Sequence, residues 1–83
     1  MKLNKQEIFD KLKETVSAMD DKRDYKAVTL ASNLRSDLEL NSVGMLYFVI
    51  MLEEAFKIEF GSDDVNAFIT VGDVVDYIWS KQA

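Results

Sequence analysis

The chain has 83 residues, of which 48% are hydrophobic and 11% aromatic, and it contains neither cysteine nor histidine. A chain of this length forms one small domain that buries roughly 60% of its unfolded surface. The absence of cysteine excludes disulfides and thiolate metal sites. The absence of histidine removes the commonest general base and the commonest metal ligand. We therefore expect a single globular domain over residues 1–83.

The net charge of −5 is unevenly distributed along the sequence. Residues 1–40 have a net charge of zero, with eight basic and eight acidic residues, whereas residues 41–83 carry two lysines and seven acids. This acidic half disfavours nucleic acid as a partner and suits docking onto a basic patch of another protein. The N-terminus lacks the apolar core of a signal peptide, and the longest apolar run, Val43 to Leu52, is too short to span a bilayer. We expect a cytoplasmic monomer without a membrane span.

Leu3 to about Met19 is the first predicted helix. Asn4 and Glu7 form a capping-box pattern at its start, and Leu3 and Ile8 have the spacing of a hydrophobic staple. An apolar stripe at helical spacing predicts the buried face of this helix. Its members are Ile8, Phe9, Leu12, Val16 and Met19.

The segment from Asp20 to Leu40 shows no clear periodicity and is long for a loop of a compact domain. Its Asp20 to Asp24 stretch lacks the glycine and the terminal glutamate of a calcium loop, so solvated charge is the favoured interpretation. We expect a short helical turn near Leu30 to Leu34. Several apolar residues are expected to hold the loop against the bundle, from the set Tyr25, Val28, Leu30, Leu34, Leu38 and Leu40.

Asn41 is the predicted N-cap of a second helix that runs from Ser42 to about Lys57. Its predicted core stripe is Met45, Phe48, Val49, Leu52, Ala55 and Phe56. A second apolar stripe shares the side of Ser42 and comprises Val43, Leu46, Tyr47 and Ile50. We expect part of the second stripe to be exposed as a docking surface, because a small domain cannot easily bury a helix on all sides. The alternative is that these four residues simply fill the core.

Two further helices are predicted after Gly61. Ser62 is the predicted N-cap of a short helix that extends to about Phe68, with Val65 and Phe68 facing inward. Thr70 and Asp73 form a second capping-box pattern before a last helix from Val71 to about Lys81. That helix is expected to bury Val71, Val74, Val75 and Ile78, with Trp79 at the margin. The absence of proline and of strand-like alternation favours an all-α bundle.

The sequence offers little support for catalysis. A nucleophilic serine needs a base within reach, and the chain has no histidine to supply it. Asp73 and Asp76 lie one helical turn apart, but such acids are usually solvated. The three glycines are isolated, so no phosphate-binding glycine loop exists. Ser42 differs from the other hydroxyls because it lies on a helix's first turn, where free N–H groups favour negative charge. We therefore expect a protein that is not an enzyme.

The segment from Asp37 to Val43, DLELNSV, resembles the signature of the acyl carrier protein family, in which an Asp-Ser-Leu triplet carries 4′-phosphopantetheine on its serine. The resemblance continues in Leu52–Phe56, in Ile58–Phe60 and in Ile69–Ile78. It implies a four-helix acyl-carrier-type bundle with three longer helices, one short helix and a long loop between the first two. It also implies that a phosphopantetheinyl transferase joins the arm, which comes from coenzyme A, to Ser42. The thiol of that arm would then carry an acyl group as a thioester.

The resemblance also implies two sets of interacting residues. The docking set for partner enzymes with basic or apolar patches comprises Asn41, Val43, Leu46, Tyr47, Ile50, Glu53, Glu54 and Glu59. An acyl cleft between the second and last helices would be lined by Leu46, Leu52, Val65, Val74 and Val75.

The chain departs from the family pattern around the predicted attachment site. Asn41 replaces the usual acid, Val43 replaces the usual leucine, and Gly44 and Tyr47 stand where carriers of fatty acid synthesis usually have acids. The partner enzymes would belong to fatty-acid biosynthesis or to a specialised, polyketide-like or lipid-like pathway, and these departures favour a dedicated pathway over general fatty acid synthesis. Two alternatives stay open: a carrier of peptidyl, aryl or D-alanyl groups, and an unmodified helical adaptor that binds its partner through the second stripe.

Overall fold

The computed structural model describes residues 3–19 and 28–82, with the backbone alone at Met19. These residues form four helices: α1 (Lys5–Met19), α2 (Ser42–Phe56), α3 (Ser62–Ala67) and α4 (Val71–Lys81). Within these ranges no strand occurs, and an isolated bridge pairs Asn33 with Thr70. The predicted all-α architecture, with three longer helices and one short one, is confirmed. Tyr25 and the Asp20 to Asp24 stretch lie outside the described residues.

The capping box predicted for α1 is present. Asn4 Oδ1 accepts a hydrogen bond from the N–H of Glu7 at 2.8 Å, and Glu7 Oε1 accepts one from the N–H of Asn4 at 3.0 Å. Because Asn4 is the cap, the helix begins at Lys5 and not at Leu3. Leu3 is instead held by Gln82, whose side chain accepts from the N–H of Leu3 at 2.8 Å and donates to its carbonyl at 2.9 Å.

The core lies between α1, α2 and α4, and the described part of the loop before α2 contributes to it. Ala55 and Phe56, predicted for the α2 core stripe, are only half-buried. In α1, Ile8, Leu12 and Val16 are buried as expected from helical spacing, whereas Phe9 is half-buried. The four residues predicted to be buried in α4 are buried. The buried apolar residues are Ile8, Leu12, Val16, Leu34, Leu38, Met45, Phe48, Val49, Leu52, Phe68, Val71, Val74, Val75 and Ile78.

The loop before α2 is attached to the junction of α3 and α4 by backbone hydrogen bonds. The N–H of Leu34 donates to the carbonyl of Ile69 at 2.9 Å, and the N–H of Gly72 donates to the carbonyl of Leu30 at 2.8 Å. A Cβ at position 72 would lie 3.0 Å from the Leu30 oxygen, so glycine permits this close approach. Leu34 and Leu38 are buried as predicted, whereas Leu30 is exposed.

The N-terminus of α4 follows the predicted capping pattern, whereas that of α3 does not. Gly61, and not Ser62, is the N-cap of α3, and no side chain caps this helix. At α4 the predicted capping box is confirmed, because Thr70 Oγ1 accepts from the N–H of Asp73 and the Asp73 carboxylate accepts from the N–H of Thr70. Hydrogen bonds from the N–H groups of Thr70 and then Ile69 hold the pKa of Asp73 below its usual value.

Candidate attachment site and adjoining cavity

Ser42 is the first residue of α2 and is exposed to solvent. Asn41 caps the helix: its backbone is extended, and its Oδ1 accepts from the N–H of Gly44 at 2.8 Å. The preceding residue, Leu40, donates its N–H to the carbonyl of buried Leu34 at 3.1 Å. The start of α2 is therefore held in place by both its own cap and the loop, and Ser42 is exposed at this end of the helix.

A cavity of about 390 Å³ opens beside Ser42 and follows α2 toward its C-terminal end. Its walls come from α2, from α3 and from the segment between them, with one residue of the long loop at its edge. Ser42 and Glu53 are eleven residues apart on α2, so the cavity follows roughly 16 Å of that helix. The lining residues are Arg35, Ser42, Met45, Leu46, Val49, Ile50, Glu53, Phe60, Ser62, Val65 and Asn66.

Of the five residues predicted to line an acyl cleft, two line the cavity and three do not. Leu46 and Val65 line the cavity. The other three, Leu52, Val74 and Val75, are fully buried in the core and do not line it. The cavity lies between α2 and α3, not between α2 and α4, because the apolar side chains of α4 are already packed inside the bundle. Entry of a cargo into this cavity stays a prediction.

Four apolar side chains on α2 form an exposed surface, which we call the apolar face. Val43 is 77% exposed, Leu46 62%, Tyr47 57% and Ile50 47%. These values confirm that the second stripe is exposed, and the alternative that the four residues fill the core is wrong. The physical reason is that the opposite side of α2 alone packs against the bundle. The docking role of this surface stays a prediction.

The three acids predicted for partner docking have different surroundings. Glu54 and Glu59 are exposed. Glu53 is half-buried, and its Oε2 accepts a hydrogen bond from the N–H of Phe60 at 2.9 Å. This bond holds the segment between α2 and α3 against α2, at the wall of the cavity. Sequence reasoning missed it, because no local pattern pairs a helix side chain with a backbone group seven residues later.

An aromatic cluster also packs against the segment between α2 and α3. The ring of Phe60 stacks on Tyr77 at 4.9 Å between centroids and meets Phe68 edge-on at 5.9 Å. The Tyr77 hydroxyl also donates to Asp64 at 3.1 Å, which ties α4 to α3. The wall of the cavity formed by Phe60 is therefore anchored to α4.

Arg35 is a residue that sequence reasoning did not place at the site. It lies on the loop before α2, yet it lines the same cavity as Ser42. Its sequence neighbourhood gives no signal for this position, since it is one charge among many polar loop residues.

Across residues 3–19 and 28–82, no group of acids is arranged to hold a metal ion. None of the helices in this part of the chain combines the length and apolar character needed to cross a bilayer.

Comparisons with known proteins agree with this architecture. A family model described as a phosphopantetheine attachment site matches residues 10–78. The acyl carrier protein of Lactobacillus acidophilus is 34% identical over 80 residues, which cover 96% of this chain and 99% of that protein. The acyl carrier protein of Clostridium perfringens is 37% identical over 73 residues, covering 86% of this chain and 92% of that one.

Among solved structures, the acyl carrier protein of Enterococcus faecalis superposes with a TM-score of 0.78 at 31% identity, covering 96% of this chain and all of that one. Fold and site thus define a phosphopantetheine-binding carrier domain. The chain belongs to the acyl carrier protein family, and its cofactor is covalently attached 4′-phosphopantetheine.

Proposed function

We propose that Ser42 Oγ is the attachment point of 4′-phosphopantetheine, and that the chain delivers an acyl group on this arm to partner enzymes. The observation that carries the proposal is the exposed hydroxyl at the start of α2, directly beside a cavity. A phosphopantetheinyl transferase would form a phosphodiester between Ser42 Oγ and the phosphopantetheine of coenzyme A, with release of 3′,5′-ADP and the hydroxyl proton. The bound arm supplies a thiol that holds the acyl group as a thioester.

The residues around Ser42 suit a negatively charged group. The first turn of a helix leaves N–H groups without intrahelical acceptors, and its dipole favours an anion there. Of these groups, the N–H of Gly44 is already bonded to Asn41. Because Ser42 is the first residue of α2, a phosphodiester on its hydroxyl would lie at the helix end that favours an anion. The protein thus acts as a non-catalytic carrier, since the reactive sulfur belongs to the arm.

The apolar face is the proposed docking surface for the enzymes that load and unload the carrier. It adjoins Ser42 on α2, so a partner bound there would have its active site within reach of the arm. Glu54, at the far end of the same helix, is exposed and adds negative charge. The complementary surface on a partner would have an apolar centre and a basic rim. An apolar centre beside the attachment site favours a dedicated biosynthetic pathway.

The test is intact-protein mass after incubation with coenzyme A and a broad-specificity transferase. We expect the protein to gain the mass of one phosphopantetheine, and Ser42→Ala to gain none. Ser62→Ala is the matched control, because Ser62 is also an exposed first residue of a helix; this variant should be modified like the wild type. Absence of any gain in the wild type would contradict the proposal and favour the unmodified adaptor. A gain that survives Ser42→Ala would refute Ser42 as the attachment point and indicate a different attachment residue.

A further inference from the structure

Arg35 is the one cation among the described residues that line the cavity of Ser42. The acid that shares this lining, Glu53, is engaged with the N–H of Phe60. Within residues 3–19 and 28–82, no carboxylate forms an ion pair with Arg35. An arginine that lines a cavity without an ion-pair partner has its charge available for an anion. Its guanidinium presents several N–H donors in a planar fork that matches the oxygens of a phosphate group.

The position of Arg35 is fixed by the turn that carries it. Asn33 Oδ1 accepts hydrogen bonds from the N–H groups of Arg35 at 2.9 Å and Ser36 at 3.0 Å. The neighbouring residues Leu34 and Leu38 are buried in the core. The backbone of Arg35 is therefore anchored on both sides, and its exposed side chain projects from a well-defined point beside the cavity.

The nearest acid along the turn is already occupied. Asp37 Oδ2 accepts from the N–H of Asn33 at 2.7 Å, so this carboxylate stabilises the turn and does not neutralise Arg35. A charge-assisted hydrogen bond of this kind holds the carboxylate in one place. The turn thus leaves Arg35 without an ion-pair partner among the described residues, in the lining of the cavity that Ser42 also lines, where the proposed function puts an anion.

We propose that the guanidinium of Arg35 pairs with the phosphodiester attached to Ser42. This inference rests on the proposed function. The phosphodiester is the favoured anion because it is bonded directly to Ser42 Oγ, whereas any acidic group of a cargo lies at the other end of the arm. Arg35 and the first turn of α2 then hold the same group from the loop and from the helix. The pairing directs the first atoms of the arm over the mouth of the cavity, making Arg35 a positioning residue.

The experiment compares the ³¹P resonance of the phosphodiester in holo-protein carrying Arg35 with that in Arg35→Gln and Arg35→Lys. We expect Arg35→Gln to shift the resonance and to remove most of its sensitivity to added salt, because the charge partner is lost. Arg35→Lys should lie between, because it keeps the charge and loses the fork. In the wild type, the Nε–Hε signal of Arg35 should move between apo- and holo-protein.

Lys57→Gln is the matched control for the loss of one positive charge. Lys57 is exposed and follows the last residue of α2, roughly 22 Å along the helix from Ser42, so its replacement should leave the ³¹P resonance unchanged. If Arg35→Gln shifts the resonance no more than Lys57→Gln does, the pairing is refuted while the attachment proposal stands. If no phosphopantetheine is added in any protein, the proposed function itself fails. Amide spectra of the apo-variants establish that each is folded.

Discussion

Glu53→Ala should loosen the wall of the cavity. The carboxylate of Glu53 accepts from the N–H of Phe60 at 2.9 Å and is the only described side-chain acceptor for that amide. Phe60 in turn lines the cavity and stacks on Tyr77. Removal of the carboxylate leaves the N–H of a half-buried residue to water, and it detaches the segment between α2 and α3 from α2.

The size of the effect follows from the type of hydrogen bond and from the place of Glu53 on its helix. A hydrogen bond to a charged acceptor contributes about 1.5–3 kcal/mol. Because Glu53 is half-exposed, we expect its hydrogen bond to lie at the lower end of this range. An acid in the last turn of a helix is also destabilised by the helix dipole by about 0.3–1 kcal/mol, so removal of the carboxylate regains this amount. We expect a net loss of about 1 kcal/mol in the free energy of unfolding. With a urea m-value of about 1 kcal/mol/M for so small a domain, the midpoint falls by about 1 M.

Glu54→Ala is the control, because Glu54 is the next residue of α2, is exposed and carries the same charge. Both variants change helix propensity and helix-dipole interactions alike, so their difference isolates the bond to Phe60. Urea unfolding gives the free energies, and amide hydrogen exchange reports on the Phe60 N–H itself. The Phe60 amide should exchange faster in Glu53→Ala alone. Equal unfolding midpoints for the two variants, with unchanged Phe60 exchange, would refute the reasoning.

Three further predictions concern the helix ends and the apolar face. Gly44→Ala should stabilise the protein to urea by about 0.5–1 kcal/mol, since its Cβ would meet atoms no closer than 3.4 Å; a lower midpoint would disprove this. The pKa of Asp73 is depressed in the folded state, so its stabilising effect is present above its usual value of 3.8 and is lost as pH falls through the lower folded value. Asp73→Asn should therefore flatten the acid limb of stability against pH, and an unchanged limb would contradict the assignment. Tyr47→Ser should lower kcat/KM of the transferase severalfold while changing unfolding free energy by less than about 0.5 kcal/mol; Ile69→Ser, at an equally exposed apolar residue away from α2, should leave both unchanged.

The helices and most of their caps were predictable from sequence. The boxes at Asn4 and Thr70 and the cap at Asn41 each join groups three residues apart, so local chemistry decides them. The exception, Ser62, has the right residue type, but the chain places Gly61 at the extended cap position. The inward faces of α1, α2 and α4 followed from helical spacing, and the exposed apolar face followed from the limited size of the bundle.

The proposed attachment residue was predicted from the sequence, whereas its surroundings were visible only in the tertiary structure. Ser42 was predicted from a short motif and from its place at a helix start. Three features of the surroundings depend on parts of the chain that share no local pattern. They are the position of the cavity between α2 and α3, the bond from the Phe60 N–H to Glu53, and the place of Arg35 in the lining of the cavity. Hydrogen bonds within one helical turn are fixed by neighbouring residues, but contacts between helices and loops depend on how the buried faces pack together. For that reason the sequence alone singled out Ser42 as the proposed attachment residue, whereas packing alone decided which charge and which cavity share its surroundings.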